Sequence, residues 1–151
     1  FITGSRVLLS KDVSEALLNS QKKRYIEIYL RSKNRLNAIR CPILSLIISK
    51  EDRKLYNLRG CNMSFWKEDL IAVNGFDEQY VGWGLEDSDI VLRLIRLGKQ
   101  KLKVKFAAIQ YHIFHDSQSR TSVRNNETIL AETIKNNRIK ASIGLDELEV
   151  K

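Results

Sequence analysis

Apolar residues recur at helical spacing most clearly between Glu86 and Leu97, where Ile90, Val91, Leu94, Ile95 and Leu97 line one side and Gly98 follows as a stop. Glu86, Asp87 and Asp89 fall in the first turn, where the positive end of the helix dipole favours carboxylates whether or not they do chemistry. A shorter helix is expected from Trp66 to Val73, ended by Asn74-Gly75 with the glycine at the C′ position. Nearer the start, Ser10 suits the N-cap of a helix with Val13, Ala16 and Leu17 in register. Tyr25, Ile26, Ile28, Tyr29 and Leu30 give a helical stripe to the charged stretch 21–38. Pro42 restarts a short apolar helix through Ile48. That run is the longest apolar one, far below the roughly 20 residues that span a bilayer, and it reads as a buried helix or strand. A weakly amphipathic helix is expected over Glu127–Ala141, with fraying in the last ten residues.

Other segments read as extended. Residues 1–9 are one. Residues 55–65 read as a strand with Gly60 at its middle, a place where a bulge or a close approach is common. Residues 101–106, Lys-Leu-Lys-Val-Lys-Phe, alternate strictly and predict a half-buried strand leading into the apolar stretch Phe106–Phe114. Phe76–Trp83 and 116–126 read as loops. Repeats and low-complexity tracts are absent and Pro42 is the single proline, so a single α/β domain over 1–151 is expected.

Composition narrows the class. A chain of 151 residues with 43% hydrophobic and 29% charged residues suits one soluble domain. It begins Phe1-Ile2-Thr3-Gly4 with neither Met nor a basic-then-apolar leader, which suggests part of a longer protein. Cys41 and Cys61 have no CxxC spacing and are expected to be reduced core thiols. The net charge of +8 is uneven: residues 1–60 carry 13 Lys and Arg against 5 Asp and Glu, and residues 61–100 carry 4 against 7. A basic body around an acidic centre suits an anionic substrate or peripheral association with a membrane, although plain solvation accounts equally for most of these lysines. No base-reading or stacking motif is present, so nucleic acid is not an expected partner.

Candidate chemistry concentrates between Arg59 and His115. Trp83, flanked by Gly82 and Gly84, is expected on a loop, where an exposed indole can stack on a sugar ring; burial in a core is the alternative. His112 and His115 would face opposite sides of an ideal strand. They could share a metal only if the chain turns after His112.

Together, Gly60-Cys61-Asn62-Met63-Ser64-Phe65, Val73-Asn74-Gly75-Phe76-Asp77-Glu78, Gly82-Trp83-Gly84-Leu85-Glu86-Asp87-Ser88-Asp89 and Arg93 resemble the galactosyltransferase C-terminal region. That region occurs in glycosyltransferase family 2 enzymes, bacterial chondroitin-type polymerases, polypeptide N-acetylgalactosaminyltransferases and β-1,4-galactosyltransferases. The resemblance implies the acceptor-side half of a GT-A fold, with 59–115 as its catalytic core. Asp87 would be the general base of an inverting sugar transfer, and Glu86 would hold an acceptor or donor hydroxyl. Trp83 and the Gly84 backbone would position sugars. Asn62 and Met63 would lie near the donor sugar, and Arg59 and Gly60 would also bind substrate. His115, His112 or both would bind a divalent cation, Mn²⁺ or Mg²⁺. The implied partners are a nucleotide-sugar donor and a saccharide acceptor, in cell-surface polysaccharide or lipopolysaccharide synthesis. The implied place is the cytoplasm, at the inner face of the membrane. The nucleotide-binding half with its Asp-x-Asp is not found in these residues: Asp87-Ser88-Asp89 has that spelling but lies inside the helix block. A non-catalytic carbohydrate-binding module derived from the same fold is the competing expectation.

Overall fold

A computed structural model describes residues 1–19, 31–55, 58, 60–116 and 119–147. Most of the stripe expected over 21–38 lies outside them; its end forms a 3-10 turn, Arg35–Ala38. The described residues build a mixed α/β structure. Its strands are β1 (Ile2–Thr3), β2 (Ser5–Leu8), β3 (Lys50–Glu51), β4 (Met63–Ser64), β5 (Leu102–Lys103) and β6 (Ile109–His112). Its helices are α1 (Lys11–Asn19), α2 (Pro42–Ile48), α3 (Lys67–Ala72), α4 (Glu86–Arg96) and α5 (Val123–Lys135). The short strands pair in the order β3-β5-β1-β4, and β2 pairs with β6 in parallel. The chain divides into two compact units: Phe1–Ile2, Glu51–Leu102 and Gln118–Lys151 form the first, Thr3–Lys50 and Lys103–Ser117 the second.

The first unit is organised around α4. Ile90, Val91 and Leu94 are fully buried and pack with Leu58 and Val73, flanked by Phe1, Met63, Phe65 and Leu70. The polar side of the same helix is buried too. Arg93 Nε donates to Asp89 Oδ2 at 2.7 Å, and its Nη1 donates to the carbonyls of Val73 at 2.6 Å and Gly75 at 2.9 Å. Those carbonyls belong to the turn that ends α3, where Gly75 has φ 69° and donates its N–H to Leu70 O at 2.8 Å. A left-handed residue after a helix favours glycine. The same turn holds the chain's later residues: Asp77 Oδ2 accepts the Ser142 N–H at 2.8 Å, and Asn74 Oδ1 accepts the Asp146 N–H at 2.8 Å. The expected fraying is therefore overturned for residues 142–147, while 148–151 lie outside the described residues. Helix α5 starts and stops earlier than expected. Arg96 Nη1 caps its end by donating to Thr133 O at 2.7 Å, a cation meeting C-terminal carbonyls.

Two strand expectations are corrected. Residues 55–65 do not form one strand: Gly60–Asn62 is a 3-10 turn, and only Met63–Ser64 pairs. Residues 101–106 contribute only Leu102–Lys103, and Phe106 breaks the run with φ 61°. The alternation is inverted at its start, because Lys101 is buried and Leu102 exposed. The lysine is held by the Lys54 carbonyl and the Asp52 carboxylate.

The second unit packs Val7, Leu9 and Val13 together, with Leu17, Ala38 and Ile109 around them. The register sets Val7 beside Tyr111 and Leu8 beside His112. Helix α2 forms where Pro42 predicts it, with Pro at its first turn. It is not a buried element: Ile43, Leu46 and Ile47 are exposed and Ser45 is buried. Neither Cys41 nor Cys61 forms a disulfide, and Cys61 is exposed rather than in a core.

Removing one partner of a buried ion pair strands the other charge, at about 3–5 kcal/mol. Arg93→Met should therefore lower Tm by about 10 °C or more, read by thermal unfolding. Asp89→Leu with Arg93→Met should recover part of the loss; a double variant no better than Arg93→Met would show that the carbonyl contacts, not the ion pair, dominate.

Candidate functional site

The loop before α4 has an unusual backbone. Gly82 has φ 73°, Gly84 φ 110° and Leu85 φ 77°. A leucine in the left-handed region costs about 1–2 kcal/mol, so the surrounding structure must impose it. At Gly84 an added Cβ would meet nothing within 4 Å, so the glycine answers a conformational demand, not a spatial one.

What holds this loop is Asn126 on α5, fully buried. Its Nδ2 donates to the carbonyls of Gly84 at 3.0 Å, Val81 at 3.2 Å and Trp83 at 3.4 Å. Three acceptors around one amide nitrogen fix which way the side chain points. Arg120 lies over the Trp83 indole at 4.7 Å, a cation–π contact. Trp83 is nevertheless 49% exposed, which answers the choice between core and loop in favour of the loop.

Helix α4 then begins with the candidate carboxylates. Both Glu86 and Asp87 are partly buried. Asp87 Oδ2 accepts the Gly60 N–H at 3.3 Å, and Asp87 Oδ1 lies 3.4 Å from Ser88 Oγ. That contact helps explain why Gly60 sits in a turn: its amide serves a carboxylate, not a strand partner. Glu86 Oε2 is buried and has no hydrogen-bond partner among the described residues. The third acid, Asp89, is committed to Arg93. Burial and the neighbouring Asp89 carboxylate hold the Tyr80 hydroxyl above the usual tyrosine value. Asn62 is half-buried in the Gly60 turn, and Met63 packs against the core of this unit. Arg59 lies outside the described residues.

The histidines belong to the second unit. The chain leaves β6 at His112, and this turn brings the two rings together: Nε2 of His112 and Nε2 of His115 are 3.0 Å apart. His115 Nδ1–H donates to the Asp116 carbonyl at 2.9 Å, which leaves the Nε2 of the neutral ring as the acceptor. Burial, then the Arg6 guanidinium, then His115 hold the His112 imidazole below its ordinary value of 6.5. Two Nε2 atoms this close suit two positions on one cation. Among the described residues no third His, Cys, Asp or Glu completes such a set.

Residues 44–116 match the family model described as the N-terminal domain of galactosyltransferase. The match supports a glycosyltransferase domain over this segment. The match carries the transferase class; its description names an N-terminal domain, and it does not carry the C-terminal placement that the motifs suggested. No curated protein and no solved structure matches the chain. The glycosyltransferase segment contains Trp83, Glu86, Asp87 and both histidines, whereas Arg120 and Asn126 lie beyond it. Sequence reading missed Asn126 because a lone asparagine in a polar stretch has no periodic signal.

Asn126→Ala leaves loop carbonyls unpaired and should lower Tm by about 5 °C, for a loss of about 2 kcal/mol. In a Trp66→Phe background it should also raise acrylamide quenching of Trp83. Asn126→Asp should be worse, because a carboxylate would face the same carbonyls.

Proposed function

We propose that the protein is an inverting, GT-A-type glycosyltransferase of family 2 character, acting from the cytoplasm in cell-surface polysaccharide or lipopolysaccharide synthesis. It moves a sugar from a nucleotide-diphosphate donor to a saccharide hydroxyl. The family match supports the transferase class. The observation that carries the finer reading is Asp87: a partly buried carboxylate at the start of α4, oriented by the Gly60 amide and following an exposed tryptophan on a clamped loop.

In this reading the acceptor lies against the Trp83 loop. Glu86, whose buried Oε2 lacks a partner among the described residues, accepts a hydrogen bond from a sugar hydroxyl. As the acceptor oxygen attacks the anomeric carbon, its proton passes to Asp87. The bond from that carbon to the diphosphate breaks, and the nucleoside diphosphate leaves with the electron pair. Attack opposite the leaving group inverts the anomeric centre. His112 and His115 would hold a divalent cation, which supplies charge stabilisation for the diphosphate.

A misplaced or missing general base typically costs about 10²–10⁴-fold in rate. Transfer assays with Mn²⁺ on the full-length protein should show Asp87→Asn at least about 100-fold slower. Equal rates would return the acids to helix capping. His112→Ala and His115→Ala should each raise the Mn²⁺ concentration needed for half-maximal activity by about tenfold or more. Activity that survives chelation unchanged would remove the cation from the reading.

A further inference from the structure

Helix α2 is built inside out. Its buried residue is Ser45, whose Oγ is 3.2 Å from Ser49 Oγ, while Ile43, Leu46 and Ile47 are 76%, 85% and 76% exposed. Positions i, i+3 and i+4 share a helix face, so these residues form one apolar ridge. Leu36, 67% exposed, adds apolar surface on the preceding turn. Lys33, Arg35, Arg40 and Lys50, which flank α2 along the chain, are exposed. Residues 31–50 contain five Lys and Arg and no Asp or Glu.

The charge is partitioned between the two units. The second unit has 12 Lys and Arg against 4 Asp and Glu, a net of +8, whereas the first has 14 against 14. A nucleic acid would use the cations and leave the ridge in water. A neutral protein surface would use the ridge and leave the cations without complement. A lipid interface with anionic headgroups uses both, since apolar side chains enter the acyl boundary as cations meet phosphates. With seven residues, α2 is too short to span and suits the plane of the interface.

We propose that the ridge of α2 and its flanking cations dock the protein on an anionic lipid surface. The proposal does not rest on glycosyl transfer, because docking is measured without turnover. The 151-residue chain should co-sediment with vesicles of phosphatidylcholine containing about 30% phosphatidylglycerol, about tenfold more strongly than with phosphatidylcholine alone. Leu46→Ser with Ile47→Ser should weaken this by about tenfold and leave circular dichroism and Tm unchanged, because both side chains are exposed. Arg35→Gln with Arg40→Gln should remove most of that roughly tenfold anionic preference, since a cation near an anionic surface contributes about 1 kcal/mol. Asp87→Asn should leave it intact. The proposal fails if the chain ignores these vesicles, or if the double serine variant binds them as well as the parent. It fails equally if the chain is a lipid-free dimer that the serine variant dissociates, or if duplex DNA competes the vesicles away.

Discussion

The first unit depends on one buried guanidinium. Arg93 is fully inaccessible to solvent, and so is its carboxylate partner Asp89 one helical turn earlier. A charge in that position is tolerable only when paired and hydrogen-bonded. Here the pairing does more than neutralise. The Nη1 contacts to Val73 and Gly75 tie α4 to the turn closing α3, and Asn74 and Asp77 on that turn tie down residues 142–146. One side chain thus links α4 to the turn beside it, and that turn in its own right holds the returning chain. The pair is not fully satisfied: Asp89 Oδ1 and Arg93 Nη2 lack hydrogen bonds among the described residues. Such groups contribute specificity of arrangement more readily than net stability.

With α4 fixed, the loop ahead of it can be strained. Gly82, Gly84 and Leu85 have positive φ, and the carbonyls of Val81, Trp83 and Gly84 are gathered by Asn126 from a helix about forty residues later. Backbone strain of this kind persists only where the surroundings over-determine it. The consequence is local: Trp83 is held outward, and Glu86 and Asp87 emerge at the positive end of α4, close to Gly60. A clamped loop and a fixed helix start thus hold both carboxylates in place.

Much of this was legible in the sequence, for physical reasons that can be named. The α4 stripe was readable because burial on one face imposes a 3.6-residue period, and the α3 stop because a left-handed C′ residue favours glycine. The carboxylates, Trp83 and the histidines stood out by residue type and spacing. Tertiary contacts accounted for the misreadings. Lys101 is buried against alternation because Asp52 and a backbone carbonyl complement it. Gly60 left its expected strand because Asp87 takes its amide. Asn126 was invisible, since its role depends on three carbonyls far away in sequence. The approach of His112 and His115 required the chain to turn, which spacing could state as a condition but not decide.

Helix α2 shows where periodicity alone misleads. An apolar heptapeptide after a proline signals a helix, and burial is the usual inference because a protein core is the usual apolar environment. The inference is about environment, however, not about which environment. Ser45 faces inward and hydrogen-bonds within its own helix, so the second unit does not use the ridge to build its core of Val7, Leu9 and Val13. The same unit holds the whole excess of positive charge, while the first unit is balanced. The ridge and the cations that flank it fall within residues 33–50, which contain no Asp or Glu, so the apolar surface and the positive charge that an anionic lipid interface uses come from one stretch of chain.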